Sequence, residues 1–460
     1  MLPVMKIGIV TLGCDKNTVD NEYLAGLLNE AGVEVVRAEH AADSNPDRDL
    51  DAVLINTCGF VESAKVQSIQ SILSWVEHKK DRLQAGEGRC RVFVAGCLTQ
   101  RYRESLVQEL PEVDGFMGVG EFEKVVRLVQ SPIDSTSPYN MIQELPVVQV
   151  REGGLPRKQL GPQAPHAFLK IGDGCNHNCT FCAIPSFKGR LRSVKKEILL
   201  AEAKLLLSRG VKEINLVAQD TSDYGKDLYA REYGIAELIN DIAALPGDFW
   251  IRLFYFYPGG LTPKFLEAIK STPKFARYID MPLQHLHPEV LHRMKRPHKE
   301  VKTLDALANL RASVPGIALR TTFITGFPGE TEEHFDYLME GVKRTRFNRL
   351  GAFPFSEEEG TPSATMESMV PRRLRKNRYD RLMTLQSQIA RELNEAHVGA
   401  ELKVLVEQQV EDGRYMARSE FDAPEVDGAI IVEAPGGLKI GTFAQVKITR
   451  ADTYDLHAVV

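Results

Sequence analysis

The chain has 460 residues, more than a single hydrophobic core usually organises, so roughly two to four domains are expected. A hydrophobic fraction of 43% and a charged fraction of 26% belong to a globular protein, and no apolar run approaches the ~20 residues needed to cross a bilayer, which excludes a membrane-spanning helix. The net charge of −5 argues against generic nucleic-acid binding, and seven cysteines, an odd number in so long a chain, point to free thiols in a reducing compartment.

The N-terminus, MLPVMKIGIVTLG, carries an apolar run interrupted by Lys6 and no Ala-x-Ala cleavage pattern, so it reads as a strand and the expected location is cytoplasmic. Residues 6–12, 33–36, 52–57, 91–96 and 115–119 then read as short buried strands, separated by helical patterns at 21–30, 61–77 and 101–110. The fold class is therefore α/β, beginning with a doubly wound parallel domain. Cys14, Cys58 and Cys97 each fall one or two residues beyond the end of a different strand, where open parallel sheets carry their ligand sites. A lone free thiol is commonly a small buried hydrophobe, but three in equivalent places predict convergence. Cys90 precedes its strand within the polar stretch 77–91 and reads as a bystander.

The segments around these thiols, TLGCDKNTVDNE, INTCGFVESAKVQSI and VAGCLTQRY, resemble the methylthiotransferase family. That resemblance implies an auxiliary 4Fe-4S cluster held by Cys14, Cys58 and Cys97, with one open iron carrying the sulfur to be transferred. Lys16 and Asn17 match the same pattern, but a polar turn opening a helix accounts for them equally well. This N-terminal domain is expected to span 1–135. Regular periodicity then lapses while Pro138, Pro146, Pro156, Pro162 and Pro165 accumulate, which reads as a linker over 136–165. Whether 141–150 adds an edge strand is left open.

After the apolar run 167–171 comes GCNHNCTFC, residues 174–182, with Cys175, Cys179 and Cys182 spaced C-x3-C-x2-C. Soft thiolates select iron-sulfur clusters, zinc or copper(I), and a closed structural zinc site or ordinary four-iron cluster needs four protein ligands. Three leave one metal position open. Other readings of these residues are a zinc site completed by His177 and a redox pair of Cys179 and Cys182. The motif resembles the radical S-adenosylmethionine (SAM) superfamily, which implies a 4Fe-4S cluster at these three cysteines and SAM on its open iron.

Strand-like runs at 213–217, 249–256, 277–280, 317–324 and 350–355 alternate with helical stretches and predict a partial TIM-type barrel within a domain 166–397. Gln219 and Asp220, the segment MPLQH (281–285) and TGFPGET (325–331) sit at strand ends, the expected active face. There the resemblance implies SAM contacts, to which Phe181, Gln219 and Gly326 are assigned. Gly326 and Gly329 serve a tight turn around Pro328 equally well, and His285 reads either as a core histidine or as a participant. The basic run Lys188, Arg190, Arg192, Lys195 and Lys196 reads as a patch facing substrate or a cofactor carboxylate, or as a solvated helix entry. A charged amphipathic helix over 371–397 closes the domain.

From 398 to 460 five short strand-like runs predict a small antiparallel barrel, in the position of the TRAM domain that ends methylthiotransferases. Six Lys or Arg face eleven Asp or Glu between 399 and 460, a net −5. RNA-modifying relatives need positive charge to neutralise phosphate, whereas this domain is acidic. Its segment RSEFDAPEVDG resembles the branch that modifies ribosomal protein S12 on an aspartate side chain, and Asp422, Glu425 and Asp427 are the residues expected to bind that basic substrate. The resemblance implies that one SAM methylates a sulfur on the auxiliary cluster while a second is cleaved reductively. The radical so formed removes hydrogen from the aspartate beta carbon, which captures the methylthio group, with electrons from a donor such as a flavodoxin. The competing readings are adenosine methylthiolation of transfer RNA and a two-cluster electron carrier.

Overall fold

The computed structural model describes residues 5–45, 49–130, 139–142, 154–161, 163–296 and 303–460. Six parallel strands, β1 (Lys6–Thr11), β2 (Glu34–Ala38), β3 (Ala52–Thr57), β4 (Arg91–Gly96), β5 (Gly115–Met117) and β6 (Tyr139–Met141), form one sheet in the order β2-β1-β3-β4-β5-β6. Every residue of β3 and β4 is buried, as the centre of a parallel sheet covered on both faces requires. The helices α1 (Asp15–Glu30), α2 (Glu62–Ala85) and α3 (Cys97–Glu109) all begin at a cysteine loop or close behind one. Helix α1 starts nearly two turns and α3 about one turn earlier than apolar periodicity predicts, because their opening residues are polar yet buried: Lys16, Asn17 and Asp20 in one, Thr99 and Gln100 in the other. Helix α2 continues eight residues past the predicted 77, where Lys79 is buried against the Asp114 carboxylate at 2.7 Å, and it stops at left-handed Gly86. Cys90 is fully buried in the core of this sheet, where desolvation pushes its thiol up to about 11.

The chain divides into two compact units. Unit 1 holds residues 1–163 together with Asp173–His177 and Ala183–Arg192, and unit 2 holds Ala164–Gly172, Asn178–Cys182 and Ser193–Val460. The proline-rich stretch expected to be a linker is more than a connector where it is described. Arg157 is buried in an ion pair with Glu22 of α1, and the Lys158 N–H donates to the Glu22 carbonyl at 3.0 Å. Pro138, Pro146, Pro162 and residues 143–150 lie outside the described residues.

In unit 2, six parallel strands follow the order β14-β13-β12-β11-β10-β7: β7 (His166–Lys170), β10 (Glu213–Val217), β11 (Trp250–Leu253), β12 (Phe275–Asp280), β13 (Ala318–Thr325) and β14 (Arg349–Pro354). Between β7 and β10, two-residue strands β8 (Gly172–Asp173) and β9 (Arg192–Ser193) pair with each other at the base of the second cysteine loop. The sheet is an open, partial barrel. Its alternation sends Ile214, Leu216, Ile251, Leu253 and Ile279 into the main apolar core with the surrounding helices. The opposite parity places Glu213, Arg252, Tyr278 and Arg320 on the other face.

The last five strands, β15 (Glu401–Glu411), β16 (Arg414–Ser419), β17 (Ile430–Glu433), β18 (Phe443–Ala451) and β19 (Leu456–Val459), close a barrel in the order β15-β16-β17-β19-β18. It seats on the amino-terminal ends of the larger barrel's strands through Trp250, Ala276, Leu405 and Phe443 and through a buried lattice of charge. Arg418 lies 2.9 Å from Glu213 and 2.6 Å from Glu407, His166 reaches Glu407 at 3.1 Å, and Arg252 bridges Glu213 to the Glu420 carbonyl.

This lattice corrects the expected role of two carboxylates. Asp422 is buried and paired with Arg349 at 2.5 Å, while the Asp427 side chain accepts the Tyr278 hydroxyl at 2.8 Å and faces Arg320. Both join the small barrel to the large one instead of facing a substrate. Glu425 remains exposed, on a left-handed residue. Asp422 and Asp427 are short carboxylates beside a turn, and sequence alone does not distinguish a displayed pair from a docked one.

Burial pushes the Glu407 carboxyl up, but His166 and Arg418 outweigh it and hold the group down at about 2. A carboxyl depressed on folding stabilises fully above its ordinary value of 4.5, and that contribution disappears as pH falls toward 2. The stability gap between the native chain and Glu407→Gln should therefore narrow as urea titrations step from pH 6 down to about pH 3. Arg418→Ala, which strands two buried carboxylates, should cost about 3–5 kcal/mol. Loss of the exposed Arg391–Glu395 pair should cost at most about 1 kcal/mol in the same assay.

Candidate functional site

The three N-terminal thiols converge as their placement predicts. Cys14 caps α1, Cys58 follows β3, and Cys97 is the first residue of α3, so two helix N-termini with their positive dipole ends open at the site. Gly13 adopts φ of 95° and a Cβ there would lie 2.7 Å from the Cys58 Cβ, so only glycine lets these two loops meet. A Cβ on Gly59 would likewise strike the backbone of Leu98 at 2.8 Å, which brings the Cys58 and Cys97 loops together. Desolvation raises the Cys58 thiol, against a hydrogen bond from the Phe60 backbone and with a further push from Cys14, and it pushes Cys97 up to about 12, where Lys188 opposes it and Cys14 and Cys58 add to it.

Asparagines hold this geometry. The Asn17 amide donates to the Leu12 carbonyl at 2.7 Å and the Thr57 carbonyl at 3.2 Å, tying the Cys14 loop to the Cys58 loop. Asn56 donates to Asn21 at 2.8 Å, and Asn21 to the Thr11 hydroxyl at 2.7 Å. The hydroxyl of Thr99, two residues beyond Cys97, is buried with no hydrogen-bond partner among the described residues, which leaves a donor for a bound anion. Lys188, from the run expected to face substrate, a cofactor carboxylate or solvent, is buried: it is 3% exposed and lies 3.1 Å from Asp173 and 4.0 Å from Asp20. Burial lowers its affinity for a proton, but Asp173, Cys97 and Asp20 more than reverse this, so it is a fixed cation.

In the second cysteine loop, the Cys175 sulfur accepts the His177 N–H at 3.4 Å and the Cys175 N–H donates to the Gly189 carbonyl. The Cys182 N–H turns back to the Cys179 carbonyl at 3.1 Å. Thr180 is clamped by the Met294 and Arg293 carbonyls, at 3.1 and 3.0 Å, and Phe181 packs edge-on to Phe327. Gln219 follows the carboxyl end of β10 and Gly326 follows β13. A Cβ on Gly326, whose φ is 72°, would lie 2.4 Å from the Arg375 side chain, so close packing onto the helix Arg372–Glu395 is reason enough for glycine.

His285 is a core histidine. It is fully buried, with its Nδ1 accepting the His287 N–H at 2.9 Å and its Nε2 3.4 Å from Glu330. A nearby trio, His287, Glu289 and His334, has its ligand atoms within 4.8 Å of one another. Both rings accept backbone N–H bonds at Nδ1, however, so their neutral forms carry hydrogen on Nε2 and offer no lone pair to a metal there.

Family profiles match the chain in three blocks: uncharacterized protein family UPF0004 over residues 6–118, the radical SAM superfamily over 169–341 and the TRAM domain over 398–460. The ribosomal protein uS12 methylthiotransferase RimO of Desulfitobacterium hafniense (strain Y51) is 44% identical over 98% of this chain and 97% of its own. The RimO protein of Heliobacterium modesticaldum (strain ATCC 51547 / Ice1) is 42% identical over 98% of this chain and 94% of its own. The chain belongs to the RimO family of radical SAM methylthiotransferases. Among solved structures, the radical SAM methyltransferase TsrM from Kitasatospora setae aligns with a TM-score of 0.53 at 16% identity, covering 79% of this chain and 77% of its own, a likeness of fold.

Membership of the radical SAM superfamily brings a 4Fe-4S cluster and SAM as cofactors. The three thiols of the second loop, one ligand short of a closed site, fit that cluster. The asparagine lattice, Lys188 as a fixed cation and the clamp on Thr180 went unread in sequence. Asn17 and Lys188 did carry a signal, each lying inside a segment already singled out. Asn17→Leu would leave the Leu12 and Thr57 carbonyls without a partner, and urea unfolding should show a loss of about 1–3 kcal/mol for each carbonyl left unpaired.

Proposed function

We propose that this chain inserts a methylthio group at the beta carbon of an aspartate of small-subunit ribosomal protein S12, in the cytoplasm, with electrons from a donor such as a flavodoxin. The observation that carries this reading is a pair of cysteine triads, each one ligand short of a closed site, in a chain aligned end to end with uS12 methylthiotransferases. Cys175, Cys179 and Cys182 would hold the cluster that binds SAM, and Cys14, Cys58 and Cys97 a second 4Fe-4S cluster for the sulfur to be transferred. When bound, cluster and SAM supply a one-electron reductive cleavage that yields a radical able to take hydrogen from an unactivated carbon. Phe181, Gln219 and Gly326 are the residues assigned to SAM.

What the residues do around these groups follows from charge and packing. Converging thiolates repel one another in a desolvated site, and the N-termini of α1 and α3 with buried Lys188 offset that repulsion at the first triad. Because burial keeps Cys58 and Cys97 protonated without a ligand, loading the site must release protons. Radical abstraction asks for no protein general base, and none is assigned. With Asp422 and Asp427 committed to Arg349 and Tyr278, recognition of a basic protein falls to carboxylates that stay exposed, Glu425 among them with Glu411, Asp412, Glu433, Asp452 and Asp455.

Anaerobic reconstitution tests the reading. Replacing Cys175, Cys179 and Cys182 by Ala should halve the iron bound and abolish reductive cleavage of SAM. Replacing Cys14, Cys58 and Cys97 should halve the iron, spare cleavage and stop sulfur insertion. Mass spectrometry of ribosomal proteins and transfer RNA, from cells with and without the chain, should show the methylthio group on S12 alone. Modified adenosine with unmodified S12 would replace this substrate by the transfer RNA.

A further inference from the structure

Arg296 is 8% exposed, and among the described residues no carboxylate pairs with it. A guanidinium cannot shed its charge by losing a proton, so burying it without a counter-ion is strongly unfavourable. Its surroundings hold it in one place. Nη2 donates to the Pro282 carbonyl at 2.7 Å, the guanidinium carbon lies 4.6 Å over the Tyr257 ring, and the backbone N–H donates to the Leu291 carbonyl at 2.8 Å. Thus seated, Nη1 points to the Cys179 sulfur at 3.5 Å. The same turn supplies the Met294 and Arg293 carbonyls that clamp Thr180, so guanidinium and cysteine cannot drift apart independently.

Among the described residues, the group in this reach that would become an anion is the Cys179 sulfur, as a thiolate once it binds a metal. We propose that Arg296 is a positioning residue that raises the reduction potential of the radical cluster through a charge-assisted N–H···S bond to Cys179. This rests on the reading of Cys179 as a cluster ligand. Taking up one electron from the reductant adds negative charge to the cluster, and a fixed cation hydrogen-bonded to a ligand sulfur favours the more negative state. Tyr257 and the Pro282 carbonyl prevent the guanidinium from swinging to solvent, and the strand ends that carry them thereby act on the cluster without touching it.

The test is a potentiometric titration followed by electron paramagnetic resonance, on full-length protein with Cys14, Cys58 and Cys97 replaced by Ala so that one cluster is observed. Arg296→Gln, with full iron, should lower the reduced-to-oxidised ratio at the native midpoint about tenfold, about 59 mV for a one-electron couple. Arg296→Lys should recover part of the shift by restoring charge without the fork, and Tyr257→Leu should give a smaller shift of the same sign. If Arg296→Gln does not take up iron, the Lys and Tyr257 variants decide by themselves. Midpoints equal to the native one in the variants that load iron would overturn the proposal. Should the parent with Cys175, Cys179 and Cys182 intact load no cluster, it is the ligand reading that fails, ahead of anything said of Arg296.

Discussion

Arg418 sits fully buried between Glu213 and Glu407, and much of unit 2 depends on that desolvated charge being shared among its neighbours. Glu213 in turn binds Arg252, Arg252 binds the Glu420 carbonyl and stacks 4.6 Å over Tyr278, and Tyr278 donates to Asp427. Such a lattice adds little net stability over a well-packed apolar contact, because each charge has been taken out of water. What it imposes is register. A shift of the small barrel by one residue would leave several charges unpaired, a far larger penalty than the mismatch of two apolar faces. The opposite, carboxyl-terminal ends of the six parallel strands are thereby left for chemistry, as expected of a parallel α/β sheet.

Positive charge near sulfur recurs at both triads, in two different forms. In unit 1 the cation is Lys188, held by Asp173 and Asp20 close enough to Cys97 to oppose the burial that raises its thiol. In unit 2 it is Arg296, held by a carbonyl and an aromatic face, with its free edge on Cys179. The difference is physically meaningful. An ammonium paired to carboxylates offers nearly neutral surroundings, whereas a guanidinium that no carboxylate pairs among the described residues delivers more of its charge to the sulfur it touches.

Polar residues at the N-terminal triad play the part that apolar side chains play in a core. Asn17, Asn21 and Asn56 satisfy one another and the carbonyls of two loops, so the backbone can be buried beside the thiols without stranding a hydrogen-bonding group. Their cost appears in sequence as a blank: the first turn of α1 reads DKNTVD, which apolar periodicity does not recognise as helix, although Lys16, Asn17, Val19 and Asp20 are all buried there.

By itself the sequence determined the parallel strand order's raw material, the five strands of the terminal barrel, and the two triads, because strand periodicity and cysteine spacing are properties of neighbours along the chain. Strands β3, β4 and β10 begin and end where their apolar runs do. Tertiary structure alone decided which charges are spent. Asp422 and Asp427 read as a displayed acidic loop until Arg349 and Tyr278 arrive from strands 73 and 149 residues away. Arg296 meets Cys179 across 117 residues, and nothing in its own segment marks it. The reason is common to all of them. A charged side chain carries no periodic signature, and whether it faces water, a partner or a ligand is set by the packing of elements far apart in sequence.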